Sequence, residues 1–160
     1  MARTTLPADE SGVVAVEFAL WSTLLFLVIS IGLDFALYYI QRSKVDEALS
    51  ATAISAFNAR LSVPYADLPT TMRALSENPA LDVGLSCNGQ ANACSNTARE
   101  CACLQADGTY HAQACASACS GMTTTAGYYL TIRSRAGYTP FMVPRSLTGD
   151  IVRQTTVRLQ

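Results

Sequence analysis

Two sets of residues in this chain could do chemistry. The first is Glu17, a carboxylate about one turn into an apolar run from Val13 to Ile40 whose only other charge is Asp34. An ionisable group in a membrane-spanning helix is disfavoured by roughly 2.5–3.5 kcal/mol at the bilayer centre, so its presence asks for a partner or a function. The second set is six cysteines, Cys87, Cys94, Cys101, Cys103, Cys115 and Cys119, with the single histidine, His111, among them. An even number of crowded thiols reads as disulfides in an oxidising compartment, up to three of them here. A zinc site is the thinner alternative. The Cys101-x-Cys103 spacing is tighter than the usual pairing of zinc ligands, and the C-x-x-C of redox catalysis is absent. His111 is read as a surface residue of a hairpin.

Nothing else forms a catalytic arrangement. The chain has no G-x-S-x-G, no P-loop and no paired carboxylates beside a plausible pocket, so an enzyme is not expected and no cofactor is implied. Asp46-Glu47 is the solvated face of a helix. A formal net charge of −1 and the lack of any basic run argue against a nucleic-acid partner.

The elements that would position these residues begin with the apolar run. A hydrocarbon core about 30 Å thick needs roughly 20 helical residues, and Val13–Ile40 exceeds that with no proline and one tolerable glycine, Gly32. With Val13 at one face, Asp34 falls about 32 Å further on, at the opposite interface. Asp34 is therefore read as an interfacial residue without a special role, and Tyr38 and Tyr39 as headgroup-zone tyrosines. A cleaved secretory signal would have a 7–15-residue apolar region, a basic start and an A-x-A exit. This run is longer and follows Asp9 and Glu10, so the spanning reading is preferred.

The helix is expected to continue over 41–62. There Val45, Ala48, Leu49, Thr52, Ala53 and Ala56 recur at 3–4 spacing, with Ile54, Phe57 and Leu61 on a neighbouring stripe. Val63-Pro64-Tyr65 marks a turn, and a short helix is predicted over Leu68–Glu77, stopped by Asn78-Pro79. Strands are predicted at Leu81–Cys87, Cys101–Gln105, Tyr110–Cys115, Tyr128–Tyr138 and Asp150–Gln160, with Asp107-Gly108 as a hairpin turn. Between Asn88 and Gly127 bulky apolar residues are scarce, and disulfides are the available substitute for a core. Six cysteines allow 15 pairings, so sequence leaves the connectivity open. Nested pairing is the expectation: Cys101–Cys119 and Cys103–Cys115, with Cys87–Cys94 closing a short loop.

The string Gly12-Val-Val-Ala-Val-Glu-Phe-Ala-Leu20 has a glycine, four apolar residues, then Glu17-Phe18. It resembles the processing site of type IV prepilin-like proteins and, more narrowly, the TadE-like pseudopilins of the bacterial tight-adherence (Tad) pilus. The chain departs from that pattern at Trp21-Ser22-Thr23, where a proline often follows, which bears only on a kink. The tail is similar too, with a tyrosine-rich strand, Tyr138-Thr139-Pro140 and a closing Thr/Arg strand. So is Cys101-Ala-Cys103 followed by Cys115 and Cys119, with Cys87 and Cys94 additional.

The resemblance implies cleavage by a prepilin peptidase between Gly12 and Val13, and an assembly role for Glu17 and Phe18. It also implies partners in the inner membrane, other pilins or pseudopilins and the Tad apparatus, in a context of adhesion and secretion, with incorporation in the pilus left open. The positive-inside count is indecisive, with Arg3 before the run and Arg42 and Lys44 after it. The cysteines and the resemblance together favour a cytosolic N-terminus and a periplasmic C-terminal domain.

The expected architecture is α+β: a cytosolic leader over 1–12, a transmembrane helix over 13–40, an amphipathic extension over 41–62 and a disulfide-stapled antiparallel β domain over 63–160. The alternative is an unprocessed, single-pass, membrane-anchored periplasmic binding module with a cysteine-rich loop.

Overall fold

The computed structural model describes residues 11–160. Of the leader assigned to 1–12, the first ten residues lie outside that range. The chain opens with a single helix, α1 (Ser11–Asn58), of 48 residues. At 1.5 Å per residue it is about 72 Å long. Its two halves behave differently. From Val13 to Leu33 the large apolar side chains are exposed apart from the half-buried Ile31, whereas Val45, Ala48, Leu49, Thr52, Ala53 and Ala56 form a buried stripe. This is the stripe predicted from 3–4 spacing, and the neighbouring Ile54, Phe57 and Leu61 stay on the surface.

The helix runs unbroken through Trp21-Ser22-Thr23, where the Ser22 and Thr23 hydroxyls both donate to the Ala19 carbonyl, at 3.1 and 2.7 Å. Two polar groups in an apolar stretch are thus satisfied within the helix. At its far end α1 stops at Asn58, short of residue 62. Arg60 N–H donates to Phe57 and Ser62 N–H to Ala59, so the last turns close over three residues before Pro64.

The short helix α2 (Leu68–Leu75) carries proline in its first turn and buries Leu68 and Met72, four apart on one face. It ends two residues earlier than predicted because Glu77 adopts a left-handed conformation (φ 52°). Asn78 N–H then donates to Arg73 and Glu77 N–H to Ala74, a Schellman closure that satisfies the final carbonyls.

Four strands, β1 (Asp82–Cys87), β2 (Gln90–Ala91), β5 (Tyr129–Ala136) and β6 (Ile151–Arg158), form one antiparallel sheet in the order β2-β1-β5-β6. The central strand β5 pairs along its whole length with β6, from Tyr129 opposite Arg158 to Ala136 opposite Ile151. Alternation reads through directly. Leu130, Ile132 and Ala136 face inward with Cys87, Ile151 and Leu159, while Arg133 and Arg135 face solvent. The inner face packs on the α1 stripe and on Leu68 and Met72, which forms the main core. A one-turn helix, α3 (Arg145–Thr148), lies between β5 and β6.

The hairpin β3 (Ala102–Leu104) and β4 (Tyr110–Ala112) forms a second sheet, with its turn at Gly108 (φ 84°) as predicted. Asp107 accepts both the N–H and the hydroxyl of Thr109, at 2.9 and 2.7 Å, and these bonds hold its carboxyl below the usual range. Tyr110 from β4 lies over Gly89, where a Cβ would come within 2.8 Å of the ring and where φ is +79°. Only glycine suits that turn.

All six cysteines are paired, as Cys87–Cys94, Cys101–Cys115 and Cys103–Cys119. The first pair is the expected one. The other two interleave, which overturns the nested expectation. Hairpin register explains this: Gln113 N–H donates to Cys101 at the open end of β3, so the chain just beyond β4 reaches Cys101 first. It then reverses at Ala114–Ser117, with Ala116 left-handed (φ 63°), and travels back to deliver Cys119 to Cys103. Cys101, Cys103 and Cys119 make a second small core with Ala126 and Met122.

Peptide mapping of the oxidised protein should recover these three pairs and no Cys101–Cys119 peptide. Replacing Cys103 and Cys119 together by serine should lower unfolding stability by about 2–4 kcal/mol, measured by denaturant titration.

Candidate functional site

The residues singled out for processing and assembly lie together at the start of α1. Gly12, Val13, Glu17 and Phe18 are all helical and all exposed. Glu17 and Phe18, being adjacent, project about 100° apart around the helix. Among the described residues Glu17 has no hydrogen-bond or ion-pair partner. Around Gly12, a Cβ would meet no atom within 4 Å, so no packing inside the described chain requires glycine there. A helix apolar on every side with nothing covering it is a membrane span or a surface for other chains. No other helix among the described residues is long and apolar enough to cross a bilayer.

Asp34 is the residue that sequence reasoning missed. It is buried, and its carboxylate accepts three consecutive backbone N–H groups: Phe141 on Oδ1 at 2.9 Å, then Met142 at 2.5 Å and Val143 at 2.8 Å on Oδ2. The Tyr138 hydroxyl donates to the Asp34 backbone carbonyl at 2.8 Å, and its ring meets Tyr38 edge-on with centroids 5.3 Å apart. Burial, with the Asp34 charge next to it, pushes the Tyr138 phenol up, so it stays a protonated donor. The reading of Asp34 as a residue without a special role is thereby corrected: it ties the loop to the helix. Tyr38 likewise is half-buried against the domain, whereas Tyr39 is exposed. The signal available beforehand was a lone Asp in an apolar run together with three N–H groups between Pro140 and Pro144 that no strand could pair.

Further attachments follow up the helix. Lys44 pairs with Glu77 beyond α2, and that hydrogen bond holds the Glu77 carboxyl below its usual range. Asp46 lies 2.9 Å from Arg153 Nε of β6, an ion pair without hydrogen-bond alignment. Past the helix end, the Asn96 side chain bonds both the N–H and the C=O of Val63, at 2.9 Å each. The six cysteines sit far from Glu17 in sequence and in fold, and every one is in a disulfide. His111 is exposed on β4, opposite Cys103. Among the described residues no group of His, Cys, Asp or Glu is arranged to hold a metal ion.

Asp34→Ala should release the Phe141–Val143 segment, because three charge-assisted bonds vanish together. Amide exchange at these residues should quicken by on the order of 100-fold, while the β5–β6 amides change little. Asp34→Asn should fare almost as badly, since one oxygen becomes an NH₂ facing N–H donors. Unchanged protection in both variants would show that the segment is held by its side chains instead.

A comparison with protein families matches residues 12–53 to the model described as TadE-like protein. No curated protein and no solved structure matches the chain. The match takes in Gly12, Glu17, Asp34 and the first part of the buried stripe, and stops before the disulfide-bonded domain. Such a segment suggests a protein associated with the Tad pilus, and its apolar helix a single-pass membrane anchor. Residues 12–53, most of the N-terminal helix, are similar to the TadE-like family.

Proposed function

We propose that the protein is a minor pilin-like component of a Tad-type pilus assembly or secretion system. In this reading residues 13–40 cross the bacterial inner membrane, 41–62 prolong the helix outside it, and 63–160 form a periplasmic domain. A prepilin peptidase trims the cytosolic leader between Gly12 and Val13. The observation that carries the reading is the TadE-like match, which begins at Gly12 and takes in Glu17, and among the described residues no packing requires glycine at position 12. A peptidase that grips the backbone closely has reason to exclude a Cβ. Three disulfides support an oxidising compartment for the domain. The role is structural rather than enzymatic.

Glu17 belongs to assembly. Cleavage gives Val13 a positive amine, and Glu17 lies about 6 Å further along the helix, four residues on. A carboxylate there is poorly hydrated, and its attraction to a cation rises as the effective dielectric falls. The amine of a neighbouring subunit, staggered along the helix, is the partner we favour. Phe18 beside it offers an apolar ring to lipid or to the neighbour's helix.

Gly12→Val should block trimming, and the membrane-extracted protein should then be heavier by about 1.2 kDa, the mass of a twelve-residue leader. A Val13 terminus appearing at the normal rate in Gly12→Val would refute the cleavage site. A wild-type protein that keeps its full mass would favour the unprocessed binding module. Glu17→Ala should still insert and be trimmed, but should no longer co-purify with pilus components. Normal assembly of that variant would leave Glu17 merely snorkelling to the headgroups.

A further inference from the structure

We propose that the Tyr138–Val143 segment is a second membrane contact, with Phe141 and Met142 entering the boundary between lipid headgroups and acyl chains beside α1. The inference rests on the membrane-anchor reading of α1 and adds a lipid-binding surface on the domain.

The first argument is level. Asp34 lies about 32 Å along the helix from Val13, close to the thickness of a hydrocarbon core. The apolar run continues to Ile40, about 9 Å further. The N–H groups of Phe141, Met142 and Val143 bond directly to Asp34, at 2.9, 2.5 and 2.8 Å, so this segment lies level with residue 34 and not with the end of the run. Wherever residues 34–40 sit among headgroups, the segment sits there too.

The second argument is chemistry. Phe141 is 90% exposed and Met142 51%, so the chain itself covers neither. Water disfavours both side chains, and an interfacial apolar contact of this kind reaches about 5–10 Å into the headgroup and acyl boundary. The backbone is suited to the same place. Pro140 and Pro144 have no N–H, and the three N–H groups between them are taken up by Asp34. Unsatisfied backbone N–H and C=O groups are what keep irregular backbone out of the hydrocarbon; here the N–H groups between the two prolines are satisfied, and at headgroup level water can still reach the carbonyls. No charged residue occurs from Gly137 to Pro144, and Arg145 follows at once; it lies 3.8 Å from Asp150, a loose ion pair that leaves its side chain 67% exposed and within reach of a lipid phosphate. A neighbouring protein chain is the other possible occupant, and the test separates the two.

The full chain is reconstituted in phosphatidylcholine vesicles whose acyl chains carry bromine either near the ester or near the chain terminus. Bromine quenches tryptophan on contact. Trp21, the only tryptophan, reports the anchor: quenching by the deep bromine is expected, and its absence would sink the anchor reading and this inference with it. In Trp21→Phe/Phe141→Trp, shallow bromine should remove roughly half of the fluorescence, as for a group seated at the interface. The control Trp21→Phe/Leu61→Trp, placed beyond the end of α1 where Leu61 is exposed, should lose almost none. If tryptophan at 141 behaves like tryptophan at 61 while Trp21 is quenched, the anchor stands and the second contact is refuted. Blue-shifted but unquenched emission at 141 would mark a protein neighbour in place of lipid and equally overturn the proposal.

Discussion

A carboxylate buried between a helix and a loop is tolerable only when it is fully hydrogen-bonded, and the arrangement of this molecule follows from how Asp34 meets that demand. Its two oxygens take three successive N–H groups from Phe141, Met142 and Val143, leaving little capacity unused. Those donors come from a stretch between two prolines, where no strand can run to supply partners of its own. Helix and loop each solve the other's problem. The end of β5 is thereby brought down to the apolar half of α1, and Tyr138 closes the joint by bonding the backbone of Asp34 and packing on Tyr38.

Above this joint, ordinary apolar burial takes over. The stripe from Val45 to Ala56 is made largely of alanine, with threonine and two larger residues, so sheet and helix approach closely. Small side chains bury little area each, about 25 cal/mol per Å² removed from water, so the bulky partners come from Leu130, Ile132, Ile151, Leu68 and Met72. Beyond β1 the chain lacks such residues. There three cystines, with the Asn96 and Asn88 side chains bonded to backbone, order a region that could not bury enough to order itself. This explains why the second core consists mainly of sulfur.

Much of this was legible from residue spacing. The six-residue stripe on α1, the alternation of β5 and β6 and the Asp107-Gly108 turn are local patterns, set by a period of 3.6 or 2. The cysteines announced disulfides, but their pairing depended on where the chain turns after β4, and no local pattern encodes the left-handed Ala116 that sends Cys119 back to Cys103. Asp34 was misread for a similar reason. Its partners are more than 100 residues away and are backbone groups, which carry no side-chain signature. Gly12 and Glu17 stood out as a spaced motif in the sequence, and both are exposed on α1. The fold neither needs them nor hides them.

The ties between α1 and the domain are spread along the helix and around it: Asp34 with its loop, Lys44 with Glu77 and Asp46 with Arg153. A head fixed at one point could swivel on its stalk. Fixed at three points, it cannot. Turning α1 about its own axis therefore swings the outer sheet face, with Arg133, Arg135, Gln154 and Thr156, through the same angle. The molecule behaves as a key rather than a ball on a string. Any torque applied to the stalk arrives undiminished at the head, and the azimuth at which the helix docks decides which way that face looks.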